Sequence, residues 1–170
     1  MIKILSLTAS LFLGACATQS HGPSAIGQLS PTNGNTTLGS VMFTQTGDKV
    51  SVKVDVRGLK PNAEHGFHVH EKGDCSSGDG MSTGGHFNPT SSSHGAHGQG
   101  AHHSGDLPSL KADANGHVKM TFESSSISIV GGPLSIIGKG LIVHRDPDDY
   151  KTQPTGNSGP RIACGVIHKI

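Results

Sequence analysis

"KVSVKVDVRGL", residues 49–59, decides the fold class. Val50, Val52, Val54 and Val56 alternate strictly with Ser51, Lys53 and Asp55. Successive side chains of a strand point to opposite faces, so this pattern buries one face and wets the other. Upstream, "TLGSVMFTQ" (37–45) is a second strand candidate, and the intervening "TGD" is a hairpin signal. Downstream, "HGFHVHE" (65–71), "GHVKMTFES" (116–124), "GKGLIVH" (138–144) and "RIACGVI" (161–167) read as further short strands. The β pattern begins at about Ala25, and no segment sustains a helical period. Short strands joined by Gly-rich turns predict an all-β fold, an antiparallel β-sandwich or flattened barrel.

Composition agrees. The 170 residues suffice for one domain with a real core, Gly is abundant (25) and Trp is absent. The formal charge of +1 provides no basic field for nucleic acid, which is not an expected partner. Two stretches, 71–113 and 145–160, do not fit strands; loops this long in a compact domain are functional or disordered.

Residues 1–15 read as a signal peptide. Lys3 supplies a positive start, residues 4–13 are a short apolar run, and "LGAC" ends at Cys16. This resembles a bacterial lipoprotein signal, in which cleavage leaves a lipid-modified cysteine. An ordinary secretory signal cleaved nearby, with Cys16 incidental, is the alternative. The expectation is a chain anchored through lipid at Cys16 to a membrane of the cell envelope, the outer membrane, with its domain in the periplasm. Residues 16–24 then form a polar tether and 25–170 the domain. Export places the chain in an oxidising compartment. With Cys16 acylated, Cys75 and Cys164 remain as one possible pair.

The histidines carry the chemistry. In "GFHVHE", His68 and His70 share a strand face, while Phe67 and Val69 point to the apolar side. Alone, H-x-H is a weak signal. His144 ends the strand "GLIVH", and His86 follows Gly84 and Gly85. The run "HFNPTSSSHGAHGQGAHHSGD" (86–106) holds five of the twelve histidines. It is either a loose metal-binding tract or a folded loop with selected ligands.

The stretches "GFHVHE", "GGHFNP", "HHSGDL", "GLIVHRDPDD" and "GPRIACGVI", in this order, resemble copper/zinc superoxide dismutases of the exported bacterial kind, across residues 25–170. The resemblance implies a Greek-key β-sandwich or flattened eight-stranded β-barrel with two long functional loops. It implies one copper and one zinc ion per subunit, superoxide anion as substrate, and dismutation to O2 and H2O2 with copper cycling between Cu(II) and Cu(I). His68, His70, His86 and His144 would bind copper. His86, His94, His103 and Asp106 would bind zinc, so that His86 bridges the two ions, is protonated when its copper bond opens, and delivers that proton to the nascent peroxide. Asp148 would join a copper ligand to a zinc ligand. Arg161 would lie in the substrate channel with Thr155 opposite, and Cys75 and Cys164 would form the disulfide. Apart from the resemblance, Lys151 in "DDYKTQPTGN" could add a second positive charge or be simply solvated. Four imidazoles suit Cu(II), and three imidazoles with one carboxylate suit tetrahedral Zn(II).

The remaining histidines receive plainer readings. His97 and His102 are surplus, solvated loop residues, with transient metal capture as the functional alternative. His65 is structural, His117 faces solvent, and His21 and His168 carry no role. Against the eukaryotic pattern, the segment between Cys75 and His86 is longer, as in bacterial members, and that between Asp148 and Arg161 is shorter. These departures touch the steering residues and the oligomer, monomer or homodimer, and leave the metal ligands intact. Two other classes compete: a non-enzymatic metal buffer, which would load extra metal and dismute little, and a structural envelope module, which would hold no ordered metal.

Overall fold

The computed structural model describes residues 22–170, so the expected signal peptide, Cys16 and His21 lie outside the described residues. Nine strands follow in order: β1 (Ser24–Pro31), β2 (Leu38–Thr46), β3 (Lys49–Arg57), β4 (Glu64–His65), β5 (Phe67–His70), β6 (Leu110–Lys111), β7 (Val118–Ser124), β8 (Gly140–His144) and β9 (Arg161–Lys169). The only helical turn among the described residues is 3-10, at Met81–Thr83. Seven strands form one antiparallel sheet in the order β5-β8-β9-β1-β2-β3-β7, and β4 pairs with β6. Counted as one strand interrupted at Gly66, β4 and β5 bring the total to the eight expected.

The local chemistry explains the pairing. Val50, Val52, Val54 and Val56 are 0–1% exposed, as the alternation requires, and β3 pairs with β2 along its whole length. Gly47 and Asp48 make the two-residue turn, with Gly47 in the left-handed region (φ 61°), where glycine suits a tight hairpin. The connection from β3 to β4 and β5 (58–63) and that from β7 to β8 (125–139) both cross from the β3–β7 end of the sheet order to the β5–β8 end. These two crossings give the Greek-key arrangement. The sheet is curled, and β4 pairs with β6 as a separate two-stranded ladder.

β1 was not separately legible, because "SAIGQLSP" offers few large apolar residues. Its glycine has a packing reason: a Cβ on Gly27 would lie 2.8 Å from Leu141 Cδ2. Pairing starts at Ser24, one residue before the expected domain boundary. The stretch 71–113 also carries more order than expected, since it contains β6, the 3-10 turn and isolated bridges to β5.

Two faces of β5 and β8 divide the labour. Phe67, Val69, Leu141 and Val143 join the main hydrophobic cluster. His68, His70 and His144 lie on the opposite face, yet are 0–4% exposed because the two long loops cover them. The free edge of β5 is covered too: Val69 N–H donates to Gly105 O (2.9 Å), and Phe87 N–H donates to Val69 O (2.8 Å). The bridges His68–Asp106 and His70–His86 therefore lock the first long loop onto the histidine strand.

Candidate metal centre

Four parts of the chain meet over the outer face of β5 and β8. β5 supplies His68 and His70, and the end of β8 supplies His144. The loop 71–113 supplies His86, His94, His103 and Asp106, and the loop 145–160 supplies Asp148. His68, His70, His86 and His144 form one group, and His86, His94, His103 and Asp106 form another. Within each group the potential ligand atoms all lie within 4.8 Å of one another, and His86 belongs to both. All seven residues are buried, at 0–6% exposure. His97 and His102 belong to neither group, so the His86–Asp106 stretch is a folded loop with selected inward histidines.

Each ring is fixed by its other nitrogen. His70 Nδ1–H donates to Gly84 O (2.9 Å), and His144 Nδ1–H donates to Gly159 O (3.0 Å). Asp148 accepts His68 Nε2–H on Oδ2 (2.8 Å) and His94 Nε2–H on Oδ1 (2.9 Å), joining one member of each group. These bonds select the tautomers that leave lone pairs on Nε2 of His70 and His144, and on Nδ1 of His68 and His94. Those four nitrogens, with His86 Nε2 and His103 Nδ1, are buried and have no hydrogen-bond partner. His94 Nδ1 approaches Asp106 Oδ2 to 3.1 Å and His103 Nδ1 approaches Oδ1 to 3.3 Å without such a bond. Buried polar atoms are ordinarily paired, and imidazoles fixed by outer carboxylates or carbonyls are the usual arrangement of metal ligands. The donor set therefore fits two cations sharing the His86 ring.

The electrostatics agree. Burial holds His68 and His70 below the ordinary imidazole range, and lowers His86 to about 4 and His144 to about 3. Their lone pairs are thus available at neutral pH. Burial also opposes charge on His94, but the Asp106 and Asp148 carboxylates beside its two ring nitrogens outweigh it and raise His94 to about 9. Burial disfavours the Asp106 and Asp148 carboxylates, yet hydrogen bonds from the surrounding histidines hold both well below the usual range.

Arg161 is anchored beside the first group. Its guanidinium donates to Gly80 O (2.6 Å), Thr83 Oγ1 (2.8 Å) and Gly84 O (2.7 Å), so it shares the Gly84 carbonyl with His70. Cys75 and Cys164 are disulfide-bonded and close a separation of 89 residues, fastening the same loop to β9. A bridge of this kind stabilises a fold by about 2–5 kcal/mol. Lys151 is exposed, and Thr155 is half-buried with its carbonyl accepting Ser158 Oγ–H (3.2 Å). Neither makes a hydrogen bond or ion pair with Arg161 or the seven clustered residues.

The surplus histidines differ from their expected solvated state. His97 Nδ1–H donates to Asp106 O (2.9 Å), and His102 Nδ1–H donates to His103 O (2.7 Å) while its Nε2 accepts Gly98 N–H (3.3 Å). Both are half-buried braces of the loop. A loop this rich in Gly and Ser has few other side chains to satisfy its backbone. His65 is buried and donates from Nδ1 to His144 O (2.9 Å), a structural role. His117 is half-buried and pairs with Asp55 (2.7 Å), while His168 is exposed. Several partners were invisible in the sequence, among them the carbonyls of Gly84 and Gly159 and the side chain of Gln153. A carbonyl is present at every residue, so no residue type signals it.

Residues 37–167 match the family model described as copper/zinc superoxide dismutase (SODC). The chain is 36% identical over 171 residues to superoxide dismutase [Cu-Zn] 2 of Aquifex aeolicus, covering 98% of this chain and 99% of that one. It is 41% identical over 137 residues to superoxide dismutase [Cu-Zn] of Saccharomyces cerevisiae, covering 76% and 88%. Among solved structures, a double mutant of a SOD-like protein from Bacillus subtilis superposes with a TM-score of 0.74 at 38% identity, covering 83% and 95%.

Proposed function

The chain belongs to the copper/zinc superoxide dismutase family, and we propose how its own residues serve that activity. It is an oxidoreductase that converts two superoxide anions and two protons to O2 and H2O2, with copper and zinc as cofactors. The reading of the residues is carried by one observation. Seven buried side-chain nitrogens lack a partner among the described residues, and six of them belong to the two histidine groups.

His68 through Nδ1, and His70, His86 and His144 through Nε2, would hold copper. His86, His94 and His103 through Nδ1, with the Asp106 carboxylate, would hold zinc. When bound, copper supplies the one-electron couple by which one superoxide is oxidised and the next is reduced. His86 Nε2, when not engaged by the metal, would hold the proton that is handed to the nascent peroxide, so this residue would serve in turn as ligand and as general acid. Its other nitrogen faces Asp106 (2.9 Å), so the ring keeps its place while the proton moves. Asp148 fixes the tautomers of His68 and His94 together. Arg161 offers the approaching anion a fixed positive charge, because three acceptors hold its guanidinium beside the copper group. Thr155 is assigned to the channel on family resemblance, and Lys151 on its charge in the shortened loop 145–160, a solvated lysine being the alternative. Removal of residues 1–15 takes away Lys3 and leaves 12 basic and 12 acidic residues, a formal charge of zero. Attraction of superoxide therefore depends on this local field.

Metal analysis of the purified chain with a dismutation assay tests the reading. One copper, one zinc and rapid dismutation are expected. Extra metal with little activity would favour the buffer, and no ordered metal would favour the structural module.

The finer placement rests on "LGAC" and the polar segment that follows it. The chain is exported to the periplasm and anchored through lipid at Cys16 to a membrane of the envelope, the outer membrane. Cys16→Ser should release it in soluble form or block its processing. An unmodified mature N-terminus away from Cys16, seen by mass spectrometry, would refute the anchor. Sedimentation of the mature chain distinguishes monomer from homodimer.

A further inference from the structure

His94 is 3% exposed and lies in an irregular loop, so its backbone N–H and C=O need partners that no strand supplies. Both find the same one. Gln153 Oε1 accepts His94 N–H (2.8 Å), and Gln153 Nε2–H donates to His94 O (3.0 Å). No other group among the described residues pairs with either. The same Gln153 amide also donates to Lys151 O (3.2 Å), which ties it to its own loop. From the other end of the residue, Asp148 holds the His94 ring at Nε2 (2.9 Å). Gly156 closes over this contact, where a Cβ would collide with both the Asp148 carboxylate and the His94 ring. The second long loop thus grips His94 at ring and backbone at once.

We propose that Gln153 is a positioning residue for the metal centre: its amide sets the backbone of His94 so that Nδ1 faces the zinc position. The inference rests on the assignment of His94 as a zinc ligand. A planar amide that accepts from one backbone group and donates to the other fixes both position and orientation. Loss of outer partners of a metal ligand typically weakens metal binding about 10–100-fold.

The test uses the full chain loaded with copper and zinc. Gln153→Met keeps the length of the side chain and removes both bonds. Gln153→Glu keeps an acceptor for His94 N–H but sets a carboxylate oxygen against the His94 and Lys151 carbonyls. Zinc and copper affinities are measured by chelator competition, and the zinc position is probed by the absorption spectrum of Co(II) placed there. Both variants should weaken zinc about 10–100-fold and change the cobalt spectrum, with copper affinity held. Wild-type zinc affinity and cobalt spectrum in Gln153→Met would overturn the proposal. So would equal losses of copper and zinc, which mark a general loss of structure. His94→Ala is run in parallel: if it keeps zinc, the ligand assignment itself fails.

Discussion

Asp148→Ala should separate the two metal positions. The carboxylate accepts three N–H groups: His68 Nε2 (2.8 Å), His94 Nε2 (2.9 Å) and Tyr150 N (2.7 Å). The two imidazoles do not depend on it equally. His68 sits in β5, paired with Ile142 of β8 on one side and bridged to Asp106 on the other. Its ring position is set by the sheet even without the carboxylate. His94 comes from a loop, and Asp148 is the partner that fixes its tautomer and ring plane. A hydrogen bond to a charged group contributes about 1.5–3 kcal/mol, and about 1.4 kcal/mol is a factor of ten. The zinc dissociation constant should therefore rise about 10–100-fold, while copper weakens by less than about tenfold. Chelator competition with each metal in turn measures both, and circular dichroism checks that the β fold persists. Unchanged zinc affinity, or a larger loss of copper than of zinc, would refute the argument.

Other outcomes follow from the same geometry. His103→Ala should lose zinc while His102→Ala and His97→Ala keep it, since of these three His103 alone presents a buried, unpaired nitrogen to the Asp106 carboxylate; equal zinc loss in the His102 variant would show that the wrong neighbour was assigned. Arg161→Ala should lower kcat/KM by about tenfold or more and flatten its dependence on ionic strength, with both metals still bound; a wild-type rate and salt slope would place the steering field elsewhere. In the metal-free chain His94 keeps its proton up to about pH 9 instead of 6.5, because Asp106 and Asp148 outweigh its burial. That proton stabilises the metal-free fold fully below about pH 6.5, and the contribution is lost as pH rises through about 9. Zinc must displace it, so zinc affinity should climb about tenfold per pH unit across this window and then level off; a flat zinc affinity from pH 7 to 9, measured by titration, would contradict the shift.

Elements whose information is local are legible in the amino-acid order. The valines at 50, 52, 54 and 56 specify a half-buried strand because side-chain alternation is a property of the backbone. The pair His68 and His70 shares a face for the same reason, and the order of motifs identifies the family. What the sequence could not determine is where groups far apart in the chain meet. β1 emerged only in the fold, because a small residue such as Gly27 is chosen by Leu141, 114 residues away, and not by its neighbours. The choice among His94, His97, His102 and His103 likewise belongs to tertiary structure. All four lie in one Gly-rich loop of similar local chemistry, and the fold turns two inward to Asp106 and uses two as braces. Gln153 is the extreme case. It is one of several polar residues in an exposed loop until the second long loop closes over the first, and only that closure brings its amide to the two unpaired backbone groups of His94.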